Sequence, residues 1–246
     1  MQLRSEDTMK FKLDKTILYD DFDEHGKLAT GRVVTAFQDT INAHSQAIGR
    51  GIDYMVETGR TWYLIAWNVE IHRLPEKYEH VTLSTWGYET KRSLGMRNVT
   101  MTDDAGEVII CGDSIWTLAD IHTGTPLRIM EDDLIGYETF PKYEGMTYLG
   151  RHVKAEGEFE LAETVRVRRS DIDYNMHMSN ANYVELAYEY IPGDLTVTRI
   201  HAEYKAQTKY HETVDCLVSH VEDKYYVKIV GHENGEEKCV VCFTVA

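Results

Sequence analysis

The chain has 246 residues, 43% of them hydrophobic and 11% aromatic, and carries a formal net charge of −15. That length suits one large domain or two of about 120 residues, and the acidic balance argues against broad binding to nucleic acid or to an anionic membrane. No run of about 18 apolar residues predicts a membrane span, no apolar signal-peptide core opens the chain, and four cysteines are too few for a disulfide framework, so a reducing cytoplasm is expected.

In chain order, 12–19 reads as a strand and 20–27 (DDFDEHGK) as a polar loop. A long helix is predicted over 28–48, because Val33, Val34, Phe37, Ile41, His44 and Ile48 recur at helical spacing before Gly49 and Gly51. Residues 61–71 form a strand rich in Trp, Tyr, Ile and Val. Pro75 and the charged run 76–79 form a crossover. Strands follow at 81–86, 93–102 and 107–118, with a hairpin turn at 103–106 (DDAG). Glycines and prolines from Gly124 to Gly157 mark 120–163 as a connection between domains, with a short helix near 131–135. Then come a strand at 164–168, a polar loop, a helix over 182–191 stopped by Pro192 and Gly193, and a strand at 199–204. Cys239 and Cys242 form a C-x-x-C, but on a strand they point to opposite faces, and no second pair completes a metal set, so neither metal nor cofactor is expected.

The second half repeats the first. Asp171 and Asp173 match Asp21 and Asp23, Asn175 falls opposite His25, and His177 falls opposite Lys27. From Glu70 to Val81 and from Glu203 to Val214 the halves run without a gap, so Glu79 meets Glu212. The fold class is α+β, with two units at 9–122 and 161–246 joined by a linker at 123–160. Each unit is a long helix wrapped by a curved antiparallel sheet, and the sheets pair edge to edge.

The candidate site is the polar loop before the second helix, RRSDIDYNMHMSNANY. Asp, Asn and His ahead of a helix N-terminus can cap the helix, and can also present donors to a carbonyl oxygen. Asp173, Asn175 and His177, followed by Asn180 and Tyr183, resemble the motif of the acyl-acyl carrier protein thioesterases, tandem (double) hot-dog proteins of plastids and bacteria. Trp62 to Trp86 with Pro75 between, and Ile115–Leu118 with Thr123 and Pro126, extend the resemblance over nearly the whole chain. It implies a hydrolase that cleaves fatty acyl-carrier thioesters by direct attack of water, with acyl carrier protein as partner and no cofactor. His177 can move a proton near neutral pH, Asn175 can bind the carbonyl or orient water, and Asp173 can hold a partner in place. The plant enzymes carry Glu then Cys where this chain has Gln207 and Thr208. Gln207 can aim water but cannot accept a proton, and Thr208 cannot supply a thiol. Glu203 shares strand parity with Gln207 and reads as a structural carboxylate mirrored by Glu70.

The first half, lacking the Asn and His, is the half expected to house the acyl chain, with Phe37, Ile41, Trp62 and Trp67 as lining residues. Two basic patches, Lys91 with Arg92 and Arg97, and Arg166 with Arg168 and Arg169, are candidates for docking an acidic carrier protein. Two other readings stay open: a thioesterase for coenzyme A esters, and a hot dog that binds acyl thioesters without cleaving them. Homodimer formation stays open as well.

Overall fold

The computed structural model describes residues 10–23 and 25–246. Residue 9, the expected start of the first unit, and Glu24 of the first polar loop lie outside the described residues. The described elements are β1 (Phe11–Thr16), α1 (Thr30–Ala47), α2 (Ile52–Thr58), β2 (Arg60–Ile71), β3 (His80–Lys91), β4 (Leu94–Thr102) and β5 (Val108–Asp120). There follow β6 (Glu160–Arg166), α3 (Asn180–Tyr188), β7 (Val197–Tyr204), β8 (Thr213–Val221), β9 (Lys224–Gly231) and β10 (Glu237–Val245). Short 3-10 turns at Tyr19–Asp21, Glu131–Leu134 and Arg169–Asp171 punctuate the loops.

The strands form one antiparallel sheet in the order β1-β3-β4-β5-β2-β7-β10-β9-β8-β6. The order is a palindrome of the repeat: each half supplies five strands, and the two join where β2 pairs with β7. Asn68 sits opposite His201 in that pairing, with Trp67 opposite Ala202 and Val69 opposite Ile200. Asn68 and His201 are equivalent positions of the two halves, so a local two-fold axis passes through the sheet at this pair. The outer strands β1 (FKLDKT) and β6 (ELAETVR) carry charges along their open edges, which discourages further strand addition.

Val33, Val34, Phe37 and Ile41 bury one face of α1, which with α3 packs on the face of the sheet that carries Trp67, Val69, Ile200 and Ala202. The helices come close at Gly31, where an added Cβ would fall 1.9 Å from the Glu185 side chain of α3. Sequence periodicity ends α1 correctly, since Gly49 adopts φ 73°. It misses α2, a two-turn helix that opens at Gly51. Seven residues are too few to show an apolar stripe.

Residues 121–159 do more than connect. Up to Tyr137, which bonds Ser45 of α1, they stay on the helix side; from Pro141 on they run along the other face of the sheet, held by polar side chains of the strands. Trp86 Nε1 donates to the Pro141 carbonyl at 2.9 Å, and Asn98 Oδ1 accepts from the Tyr143 N–H at 3.0 Å and the Tyr148 hydroxyl at 3.1 Å. Glu70 accepts from the Thr147 N–H at 2.8 Å and from Arg199. Its repeat mate Glu203 bonds His152 Nδ1 at 2.8 Å and the Val153 N–H at 3.1 Å. The two carboxylates expected to be structural thus clamp a backbone, as buried charge requires.

Candidate active site

The second polar loop is built on two aspartates. Asp171 accepts from the Arg168 N–H at 2.7 Å and from its guanidinium at 2.9 Å. Asp173 Oδ1 accepts the Asn175 N–H at 2.8 Å, and the Asp173 N–H donates to the His177 carbonyl at 2.9 Å. Met176 completes the turn at φ 64°. Ser179 then caps α3, its hydroxyl oxygen accepting the Asn182 N–H at 3.2 Å. Thr208, fully buried, locks the loop from behind: its carbonyl accepts the Met178 N–H at 2.8 Å and its Oγ1 accepts the Tyr183 hydroxyl at 2.7 Å.

In front of the loop the sheet opens. β2 and β7 pair only from Ala66–Glu203 to Glu70–Arg199. Beyond that, Lys205 and Ala206 both donate their N–H groups to the Lys238 carbonyl and the chain turns away, leaving Arg60–Ile65 of β2 without a partner on that side. Gln207 thus lies past the end of the strand rather than on it. A cavity of about 940 Å³ fills the opening, and Asp173, Asn175, His177 and Gln207 all line it, together with Ser179 and Asn180 at the start of α3. The cavity extends into the first half, between α1, α2, β2 and β4.

His177 is partly buried, and its Nδ1 is shut off from solvent without a hydrogen-bond partner. Burial pushes its pKa below the usual 6.5, the Asp173 carboxylate opposes this, and Lys209 lowers it further. At neutral pH the imidazole is therefore neutral and able to accept a proton. Tyr63 of β2 also lines the cavity. Burial raises its pKa, its hydroxyl interacts with the Gln207 side chain, and the charge of Asp173 acts on it. Tyr63 thereby brings a hydroxyl from the first half to a loop of the second. It is visible in sequence only as one aromatic among several in TWYLIAW.

Other expected positions divide. Ile41 and Trp62 line the cavity. Phe37 and Trp67 do not: both are fully buried, their rings 5.9 Å apart, over Gly112, where an added Cβ would come 2.9 Å from Phe37. A β-bulge between Leu64 and Ala66 shifts the parity of β2, so Trp62 and Trp67, five residues apart, both lie on the helix side, Trp67 in the core and Trp62 at its edge. Arg97 is not an exposed docking residue. It is 8% exposed and donates to His44 Nδ1 at 2.6 Å. Lys91 and Arg92 are exposed at the β3–β4 hairpin, and Lys91 pairs with Glu89 at 2.7 Å. Arg166, Arg168 and Arg169 are exposed beside the loop. Arg168 is tied to Asp171, and Arg169 lies over the Tyr210 ring at 5.5 Å. Glu70, His72 and Cys111 bring ligand atoms within 4.8 Å of one another, but Glu70 is already held by Arg199 and the Thr147 N–H, which disfavours a cation there.

Residues 8–137 match the model of the acyl-ACP thioesterase N-terminal domain, and residues 154–243 match that of the C-terminal domain. The chain belongs to the acyl-ACP thioesterase family. Among curated relatives, the oleoyl-acyl carrier protein thioesterase of Coriandrum sativum is 24% identical over 221 residues, 81% of this chain and 60% of the relative. The oleoyl-acyl carrier protein thioesterase 2 of Arabidopsis thaliana is also 24% identical, over 76% of this chain and 56% of the relative. The chain thus spans little more than half the length of these plastid relatives. The crystal structure of an acyl-ACP thioesterase from Bacteroides thetaiotaomicron superposes with a TM-score of 0.81 at 21% identity, covering 96% of this chain and 97% of that one. The 12:0-ACP thioesterase of Umbellularia californica gives 0.80 at 15% identity over 97% and 98%. These likenesses show the double hot-dog fold. No helix among the described residues is long and apolar enough to cross a membrane.

Proposed function

We propose that this chain hydrolyses fatty acyl thioesters of acyl carrier protein, releasing the free fatty acid and the holo-carrier thiol. The observation that carries the reading is the single cavity that starts at Asp173, Asn175 and His177 and continues into the first half. In the proposed reaction the thioester carbonyl sits at the loop and the acyl chain extends along Ile41 and Trp62. Neutral His177 takes a proton from water as it attacks. Asn175 holds the carbonyl, Asp173 steadies the charge that develops on the imidazole, and Gln207 with Tyr63 aims the water. The oxyanion collapses and expels the thiolate, which regains a proton. Thr208 has no thiol and its hydroxyl is occupied, so the route is direct rather than covalent. Exposed Arg166, Arg168 and Arg169 beside the loop, with Lys91 and Arg92, form the docking surface for an acidic carrier protein, and the protein works in the cytoplasm, alone or as a homodimer.

The test follows free thiol release from one acyl group presented on carrier protein and on coenzyme A. Carrier-bound substrate should react faster, and its advantage should shrink as salt rises, because exposed charges are screened beyond about 8 Å at physiological ionic strength. Equal rates at every salt would favour a coenzyme A thioesterase. Binding without thiol release would make the protein a binder.

A further inference from the structure

Three arginines from the first half line the cavity: Arg50, Arg60 and Arg97. Arg60 is neutralised by Asp133, with Nε and Nη2 each 2.7 Å from a carboxylate oxygen. Arg50 stacks over the Tyr54 ring at 4.2 Å. Arg97 differs from both. It is 8% exposed, and among the described residues no carboxylate pairs with it. Its Nη2 donates to His44 Nδ1 at 2.6 Å and to Thr85 Oγ1 at 3.4 Å, and the Tyr137 ring lies 5.3 Å away. Its Nε is buried without a partner, and so is Oε1 of Gln38, a second residue of the cavity wall. His44, held below its usual titration range at about 4, stays a neutral acceptor and does not offset the charge.

A buried guanidinium remains charged at neutral pH, and leaving it unpaired is costly, whereas an apolar residue of similar volume would suit a wall that meets only hydrocarbon. The surroundings are also hydrogen-bonding, since the Tyr137 hydroxyl donates to Ser45 Oγ at 2.8 Å. This polar end is remote from the loop. Tyr63, which meets Gln207, is paired through Thr117 with Leu94, so Arg97 stands two strands across the sheet and three residues along it from Tyr63, about 14 Å.

We propose that the cavity accepts an acyl chain that bears an oxygen substituent far from the thioester, and that Arg97 recognises that oxygen as a hydrogen-bond acceptor. The inference rests on the hydrolase reading above for its substrate, but not for its binding chemistry. A carboxylate or a hydroxyl can fill the role. A carboxylate would also neutralise the charge.

The experiment presents the wild-type protein with three carrier-protein thioesters of one chain length: unsubstituted, ω-hydroxy and ω-carboxy. One of the oxygenated chains should be preferred in kcat/KM by roughly 10- to 100-fold, the worth of a hydrogen bond to a charged group, and whichever leads identifies the oxygen. Arg97→Met, which keeps the length and removes the charge, should bring the ratio of oxygenated to plain chain close to one. A plain chain that reacts as well as both oxygenated chains in the wild type overturns the proposal, whether or not the variant folds. An equal loss on all three chains in the variant makes Arg97 a tie between α1 and β4, and overturns it too. If no thioester is cleaved, the hydrolase reading fails by itself. Calorimetric binding of the plain and oxygenated free acids to the wild type then decides the inference: tighter binding of an oxygenated acid supports it, and equal affinity overturns it.

Discussion

The two polar loops, 20–28 and 170–178, are one structure used twice. Each is pinned by a bridge, Phe22 to Leu28 and Ile172 to Met178. In each, the second aspartate N–H donates to a carbonyl four residues on, Asp23 to Lys27 at 2.8 Å and Asp173 to His177 at 2.9 Å. The first aspartate carbonyl accepts the N–H of Ala29 in one and Ser179 in the other, both at 2.9 Å. The difference lies in what the second carboxylate does. Asp23 Oδ1 takes two N–H groups, from His25 at 3.0 Å and Lys27 at 2.8 Å, while Asp173 Oδ1 takes one, from Asn175. Asp173, Asn175 and His177 line the cavity, and no described residue of the first loop does. The backbone of the turn is thus a scaffold, and side chains at two positions turn one copy into a candidate site.

Breaking the more active copy should have the largest effect. His177→Ala should lower kcat by roughly 10²–10⁴ if the imidazole moves the proton, while Lys27→Ala at the matching place should leave kcat unchanged. A loss of only a few-fold would make His177 structural. The pH profile sharpens this. Because burial holds His177 below 6.5, the acid limb of kcat/KM should fall below that pH. Asp173→Asn should move the limb down and Lys209→Met should move it up, as their charges act in opposite senses. A fixed limb would assign it to another group. The same shift means that the unfolded chain binds this proton more readily than the native one. Its contribution to stability is therefore full above 6.5 and is lost as pH falls through the lower native value.

The aspartates divide stability from chemistry. Asp23→Ala releases two N–H groups and should destabilise the fold by about 1–2 kcal/mol in urea titration, with kcat per folded molecule unchanged. Asp173→Asn keeps an acceptor for Asn175 and should leave the unfolding midpoint nearly in place, yet lower kcat by roughly tenfold or more. If the two variants behave alike, the asymmetry between the loops has no functional meaning.

A gentler change tests the water. Gln207 and Glu have nearly the same shape, so Gln207→Glu alters charge and proton acceptance. A carboxylate there would face both Asp173 and the Tyr63 hydroxyl that Gln207 now meets, and a several-fold fall in kcat is expected. A rise near neutral pH would show that the site lacked a base. No change in kcat or its pH profile would remove Gln207 from the reaction.

Much of this comparison was legible in the sequence because the repeat has no gap between Glu70 and Val81 or between Glu203 and Val214. The match extends to backbone detail: Tyr78 and His211 both have positive φ, and Glu79 and Glu212 each take an N–H from three residues earlier. The cavity wall was less legible. Alternation predicts faces only while the register is regular, and the bulge at Leu64–Ala66 breaks it. Charge alone placed Arg97 at the surface, but it follows Gly95 on β4 and turns toward His44 of α1, a contact between residues 53 apart that no local pattern encodes. Nothing in AEYKAQ signals the two hydrogen bonds, from the Lys205 and Ala206 N–H groups to the Lys238 carbonyl, that end the strand before Gln207.

The smallest expected effect concerns the apex of the turn. Gly26 occupies it in the first loop at φ 71°, and Met176 occupies the equivalent position at φ 64°. Met176 is 70% exposed, so its packing offers little to offset the left-handed conformation, which costs an L-residue about 1–2 kcal/mol. Met176→Gly should remove that cost but add the conformational entropy of glycine to the unfolded chain, about 0.5–1 kcal/mol. The net expectation is a stabilisation of about 0.5–1 kcal/mol, read as a higher urea midpoint with the same slope. Gly26→Ala should shift the midpoint the other way, since its Cβ would also come 2.8 Å from Lys77 Nζ, the far end of a flexible side chain that can move. Activity decides what the methionine is for. If Met176→Gly is more stable and equally active, the strain is incidental. If it is more stable but slower, the side chain or the stiffness it imposes holds Asn175 and His177 in place, and the second loop has kept a less stable apex for the sake of its site.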